Sequence, residues 1–164
     1  NELSRRIAAE GGIVEQAVPL GPRPRVFISY AREDNDLAVK VFDTLQKSGF
    51  EPWFDKESLS GGDLWNERIL EELGATDFTL VLYTPALCAK TDSYVNKEIN
   101  LARQRALNVR GSFLIPLQTA EIAAEDRIHE LSDYQEMLLR PASFDDDISK
   151  VISTMRRDYQ RRLR

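Results

Sequence analysis

Short apolar runs recur along the chain, and the stretches between them place their apolar residues at helical spacing. Continuous apolar runs of about 4–8 residues are typical of buried strands. Runs of this kind lie at residues 26–30, 78–83 and 112–117, a shorter one lies at 52–54, and a weaker one lies at 134–139.

Apolar residues three or four positions apart predict helices between and after these runs. The predicted helices cover residues 37–45, 65–73, 93–105 and 148–159, and Gly49 and Gly74 end the first two. Alternating strands and helices predict an α/β domain with a central parallel sheet of about five strands, covered on both faces. Because ligands of such sheets bind outside the carboxyl ends of the strands, the segments after Tyr30, Phe54 and Tyr83 are candidate sites.

The first part of the chain differs from the rest. Residues 1–23 contain a short helical pattern that is interrupted by Gly11-Gly12 and then by several prolines, which is typical of a linker. We therefore expect residues 1–23 to be an extension or linker and residues 24–164 to be one domain. Since the chain starts at Asn1 without an initiator Met, we expect it to be the C-terminal part of a longer protein with an upstream domain.

Charge and composition exclude several classes of function. The net charge of −5 disfavours nucleic acid, because binding to phosphates needs a basic surface. The basic cluster at the C-terminus is expected to be a solvated helix end. No apolar run approaches the ~20 residues of a membrane helix, so no membrane segment is expected.

The chain contains one cysteine, Cys88, and one histidine, His129. A structural zinc site usually needs four such ligands, so no metal is expected. A single cysteine forms no internal disulfide and suits a reducing, cytoplasmic location. No feature of the spacing supports a Cys88–His129 catalytic pair, and Cys88 is interpreted as a small apolar residue.

Glu98 lies in an apolar helical stripe with Val95, Ile99 and Ala102, and Tyr94 lies one turn before it. A carboxylate among apolar residues is costly unless another group satisfies it. Either a basic group from elsewhere in the fold does so, or Glu98 lines a pocket; the pattern alone slightly favours the first. An aromatic ring beside a carboxylate would suit a bound sugar. Without Glu98 nearby, Tyr94 would be interpreted as a tyrosine of the hydrophobic core.

Two segments at the carboxyl ends of strands have ambiguous roles. Arg32 is interpreted equally well as a surface residue or as a residue that contacts a phosphate group. Asp34 or Asn35 is expected to cap the following helix. The charged loop at residues 55–63 is long for a connection and contains two adjacent glycines, so it either closes over a ligand, contacts a partner or simply joins two elements. The chain contains neither a P-loop nor a Gly-x-Gly-x-x-Gly motif.

Four motifs in this order resemble those of the TIR (Toll/interleukin-1 receptor/resistance) domain family, over about residues 24–160. They are a first strand ending Phe-Ile-Ser-Tyr, a second strand ending in an apolar residue and Asp before a long loop, a third strand ending in Thr-Pro, and a helix segment with Glu. These motifs lie at residues 25–30, 49–55, 78–85 and 93–99. The resemblance implies a flavodoxin-like three-layer fold.

The resemblance also implies an activity. Some TIR domains cleave the nicotinamide glycosidic bond of NAD, with NAD as substrate and no cofactor, whereas others only assemble with other TIR domains. In the enzymatic, bacterial-type branch the helix Glu is catalytic, which corresponds to Glu98. The implied substrate-binding residues are Tyr94, Tyr30, Ala31, Arg32, Ser58 and Leu64. Two departures affect the binding contacts: Tyr94 replaces a frequent Trp, and Ala31 stands where some members have a basic residue.

Self-association of TIR domains is the partner interaction that the resemblance implies, within signalling, innate immunity or bacterial defence. The candidate assembly loop contains Lys56, Gly61, Gly62 and Asp63. A non-enzymatic adaptor is the alternative function. A phosphoacceptor receiver domain has the same fold class, but it needs an Asp at the end of the third strand, where this chain has Tyr83-Thr84.

Overall fold

The computed structural model describes residues 23–54, 75–89 and 113–163. Within these residues, five strands form a single sheet in the order β2-β1-β3-β4-β5, and every neighbouring pair is parallel. The strands are β1 Arg25–Ser29, β2 Glu51–Trp53, β3 Phe78–Tyr83, β4 Leu114–Gln118 and β5 Met137–Leu138. The described helices are α1 Asn35–Lys47, α2 Pro85–Cys88 and α3 Phe144–Leu163. The predicted flavodoxin-like α/β fold is confirmed.

One face of the sheet packs against the two long helices. Alternate residues of the central strands, such as Ile28, Leu80 and Leu82, share one buried cluster with Val41 of α1 and Val151 of α3. This arrangement follows from the strand pleat, which sends every second side chain to the same face, and from the apolar stripe of each helix.

The other face of the sheet also has an apolar core. Val81 and Tyr83 of β3 and Leu114 of β4 are buried there with Leu87 and Ile122. All six residues of β3 are buried, which explains why β3 is a continuous apolar run rather than an alternating one. The central position of β3 places its carboxyl end between the segments that follow β1 and β4.

The predicted end of α1 is confirmed. The helix ends at Lys47, and Gly49 adopts a φ of 92°, the left-handed conformation that glycine reaches without steric cost. The amide of Phe50 then donates to the carbonyl of Leu45 at 3.1 Å, which returns the chain to the sheet. The predicted helices at 65–73 and 93–105 lie outside the described residues.

The basic end of α3 contributes to tertiary structure, so the prediction of a merely solvated helix end is wrong in part. Arg162 lies over the ring of Phe78 at 4.4 Å and donates to the carbonyl of Asp77 at 2.9 Å. Arg156 donates to the carbonyl of Ser48 at 2.5 Å. A planar guanidinium can stack and donate at once, which the sequence pattern does not reveal.

The start of α3 is fixed by a buried carboxylate. Asp147 is 3% exposed and accepts hydrogen bonds from the Arg140 backbone N–H at 2.9 Å and from Arg140 Nε and Nη2 at 3.0 Å. The hydroxyl of Ser143 donates to the same carboxylate at 3.0 Å. These bonds hold the chain that leaves β5 against the last helix.

No helix in the described part of the chain is long and apolar enough to span a membrane.

Candidate active site at the carboxyl edge of the sheet

The turn after β1 is compact and partly buried. Tyr30 and Ala31 connect β1 to a 3-10 turn at Arg32–Asp34, which leads directly into α1. The amide of Asp34 donates to the carbonyl of Ala31 at 2.8 Å, which closes this turn. Ala31 is completely buried beneath it, whereas Arg32 is exposed.

Aromatic rings connect the end of β1 to the end of β2. The ring of Tyr30 meets the ring of Phe54 edge to face, with centroids 5.2 Å apart, and Phe54 meets Phe42 of α1 in the same way at 5.2 Å. The Tyr30 hydroxyl donates a long hydrogen bond of 3.4 Å to Asn35 Oδ1. These contacts give this side of the edge an apolar wall with a polar tip.

A hydrogen bond between side chains connects the end of β1 to the end of β3. The hydroxyl of Thr84 donates to Asp34 Oδ2 at 2.5 Å, across 50 positions of sequence. We expected Asp34 or Asn35 to cap α1. Asp34 does occupy the N-cap position, so the predicted position is confirmed. Its side chain makes no capping hydrogen bond, so the predicted capping interaction is wrong.

The segment after β4 is held against β3 from the other side. The backbone N–H of Ile128 donates to the hydroxyl of the fully buried Tyr83 at 2.6 Å, and the guanidinium of Arg127 lies 5.2 Å from the ring centroid. The amide of Thr119 donates to the Tyr83 carbonyl at 3.3 Å. Tyr83 therefore occupies the end of the third strand as a structural residue.

A small cavity of about 200 Å³ lies between α2 and the segment after β4. Its lining includes Cys88, Ile122 and the acidic residues Glu121 and Asp126. Burial raises the pKa of the Cys88 thiol, and the nearby negative charge of Asp126 raises it further. A raised pKa reduces the thiolate fraction, so Cys88 lacks the activation of a nucleophilic cysteine, in agreement with its interpretation as an apolar residue.

Three of the predicted site residues fall within the described structure. Tyr30, Ala31 and Arg32 follow one another in the turn after β1, next to the switch point between β1 and β3 where the strand order reverses. Ala31 is buried, so its side chain packs in the core. The remaining predicted site residues lie outside the described residues: Glu98, Tyr94, Ser58, Leu64, Lys56, Gly61, Gly62 and Asp63.

Thr84 was not among the predicted site residues and Asp34 was expected only as a helix cap, although both are polar residues that follow strands. Each is unremarkable alone: Asp34 resembles a helix cap and Thr84 precedes a proline. Only the sheet order, in which β1 and β3 are neighbours, brings the two side chains together. In the sequence, the pair could have been found by looking for two polar residues that directly follow two strands expected to be neighbours in the sheet.

Solved structures with the same architecture support this topology. A prokaryotic SEFIR domain is 19% identical with a TM-score of 0.59, and the match covers 80% of this chain and 92% of that domain. A metazoan TIR-STING receptor from C. gigas, in complex with 2',3'-cGAMP, is 20% identical with a TM-score of 0.58, over 81% of this chain and 41% of the receptor. The chain thus spans less than half of that receptor.

A third similar structure is the signal receiver domain of a Luxo repressor protein from Vibrio parahaemolyticus. It is 12% identical with a TM-score of 0.52, and the match covers 87% of this chain and 97% of that domain. At such identities these likenesses establish the fold. The sequence itself matches the TIR domain family over residues 26–152, from the start of β1 into α3. The chain belongs to the TIR domain family.

Proposed function

We propose that this TIR domain cleaves NAD at the nicotinamide glycosidic bond, as a glycohydrolase or a cyclase. The observation that carries the proposal is Glu98, a carboxylate in an apolar helical stripe at the position that the enzymatic branch of the family uses for catalysis. It follows β3, which borders the switch point of the sheet. Ligands of open α/β sheets bind at such points, outside the carboxyl ends of the strands.

Cleavage of the nicotinamide glycosidic bond needs little more than a carboxylate held beside the ribose. Nicotinamide leaves as a neutral group from a cationic pyridinium, so its departure needs little acid assistance. The ribose develops oxocarbenium character, as in other glycosyl transfers. The carboxylate of Glu98 would stabilise that positive charge and accept hydrogen bonds from the ribose hydroxyls, more strongly in a partly apolar site than in water.

We assign substrate contacts to Tyr94 and to two residues of the turn after β1. Tyr94 would place a ring beside the ribose, and Tyr30 would contribute the aromatic wall that it forms with Phe54. Arg32 is exposed in the turn after β1, which suits contact with the phosphates or the adenosine part of NAD. Attack by water would give ADP-ribose, and attack by the adenine or by a ribose hydroxyl would give a cyclic product.

Substitution of Glu98 by Gln tests the catalytic assignment. Glu98→Gln keeps the size of the side chain and removes its charge, so it should abolish nicotinamide release while the protein remains folded. Glu125→Gln is the matched control, because Glu125 is exposed in the 3-10 turn at Ala124–Asp126 and should retain activity. Nicotinamide release by Glu98→Gln at the wild-type rate would refute the assignment.

Assembly with other TIR domains is the second part of the proposal. The loop at residues 55–63 carries charges of both signs and two glycines, and head-to-tail contacts through such a loop can build filaments. Specific activity should therefore rise with protein concentration or on fusion to an oligomerising domain, and charge reversal at Lys56 or Asp63 should reduce that rise. A constant specific activity from a strictly monomeric sample would contradict assembly.

The biological setting is proposed from the family alone: signalling or defence in the cytoplasm, under the control of an upstream domain. The alternative function is an adaptor that works only by TIR–TIR association. Association without nicotinamide release, in every state of assembly, would favour the adaptor.

A further inference from the structure

The hydroxyl of Thr84 makes two hydrogen bonds at the point where the chain leaves β3. It donates to Asp34 Oδ2 at 2.5 Å and accepts from the backbone N–H of Leu87 at 3.1 Å. Thr84 is only 4% exposed. One buried hydroxyl therefore holds the first turn of α2 and reaches across to the turn after β1.

The residue that carries the accepting carboxylate is held through its backbone. Asp34 ends the 3-10 turn, and its backbone N–H is bonded to the carbonyl of Ala31 at 2.8 Å. A hydrogen bond from a hydroxyl to an ionised carboxylate is among the stronger kinds in proteins, and its usual length is about 2.5–2.7 Å. A change in position at one turn would thus be transmitted to the other.

We infer that Asp34 and Thr84 form a positioning pair, which fixes the turn containing Tyr30 and Arg32 relative to the end of β3 and the start of α2. The inference rests on the proposed function and extends it to two residues that were not among the predicted site residues. Neither member of the pair is assigned a contact with substrate. Their role is to keep the binding turn in register with the end of β3, and a misplacement of about 1 Å within a site can reduce turnover about 100-fold.

Replacement of the Thr84 hydroxyl tests the pair through turnover. Thr84→Val keeps the branched shape and removes both hydrogen bonds, so kcat for nicotinamide release should fall about tenfold or more while KM changes much less. Thr84→Ser retains the hydroxyl and should restore kcat to near the wild-type value. Thr44→Val is the matched control: it removes a Thr hydroxyl bond within α1, to the carbonyl of Lys40 at 2.9 Å, and should leave kcat unchanged.

A double-mutant cycle shows whether the two residues act together. If they act through one bond, Asp34→Ala combined with Thr84→Val should lower kcat by clearly less than the sum of the two single losses, because effects of coupled residues do not add. Additive losses would overturn the inference. A Thr84→Val protein with wild-type kcat would overturn it as well.

Amide hydrogen exchange separates failure of the pair from failure of the proposed function. In Thr84→Val, exchange should accelerate at Leu87, which loses its acceptor, and also at Asp34 across the sheet edge; in Thr84→Ser neither should change. Faster exchange at Leu87 alone would show that the two turns are not coupled. If the wild-type protein releases no nicotinamide, the proposed function fails, whereas the pair is still decided by exchange at Asp34.

Discussion

Replacement of Tyr83 by Phe removes a single oxygen from the fully buried end of β3. The lost hydroxyl accepts a 2.6 Å hydrogen bond from the partly buried N–H of Ile128, and this N–H would be left without that acceptor. The ring, its burial and its contact with Arg127 are retained. An unsatisfied buried donor costs about 1–3 kcal/mol, so the free energy of unfolding should fall by that amount.

Urea unfolding followed by circular dichroism measures this change. Tyr134→Phe is the matched control, because the hydroxyl of the half-buried Tyr134 makes no hydrogen bond within the described part of the chain, and its effect should stay within about 0.5 kcal/mol. Amide exchange at Ile128 should accelerate in Tyr83→Phe only. A Tyr83→Phe protein within about 0.5 kcal/mol of the wild type would refute the argument that this hydroxyl holds the segment after β4.

Three further predictions concern other residues. Among the described residues the buried hydroxyl of Thr79 has no hydrogen-bond partner, so Thr79→Val should stabilise the protein by about 1 kcal/mol; a lower melting temperature would contradict this. The side-chain and backbone donors of Arg140 hold the pKa of Asp147 well below its usual range, so this stabilisation is present above the ordinary Asp pKa and is lost as pH falls towards the folded pKa. Asp147→Asn should therefore flatten the loss of stability between about pH 5 and pH 2, and an unchanged acid transition would refute it. Tyr94→Ala should reduce NAD turnover strongly and Tyr94→Trp should retain it; equal activities would remove Tyr94 from the site.

The central strands were predictable from the sequence because their burial in the sheet requires continuous apolar runs. The run at residues 78–83 became β3 with the same bounds, since a strand buried on both faces needs apolar side chains at every position. The short β5 was less predictable. Only Met137–Leu138 pair with β4, whereas Tyr134 belongs to a turn through its bond to the carbonyl of Leu131 at 3.2 Å. A two-residue pairing leaves too little periodicity to set its bounds.

The site was predictable only in part, because local patterns do not encode contacts between distant segments. The turn after Tyr30 was expected at the carboxyl edge of the sheet, and it lies there. The bond from Thr84 to Asp34 and the bond from Ile128 to Tyr83 join residues separated by 50 and 45 positions. Both depend on which strands are neighbours, and that order is fixed by packing of the whole sheet. The roles of Glu98 and Tyr94 remain predictions, since both lie outside the described residues.

Mass spectrometry of NAD incubated with the protein at high concentration, or fused to an oligomerising domain, tests the central proposal most directly. The wild-type protein should release one nicotinamide for each NAD consumed, with ADP-ribose or its cyclic form as the second product. Glu98→Gln should leave NAD intact. Persistence of NAD with the wild-type protein in every state of assembly would contradict the proposed activity.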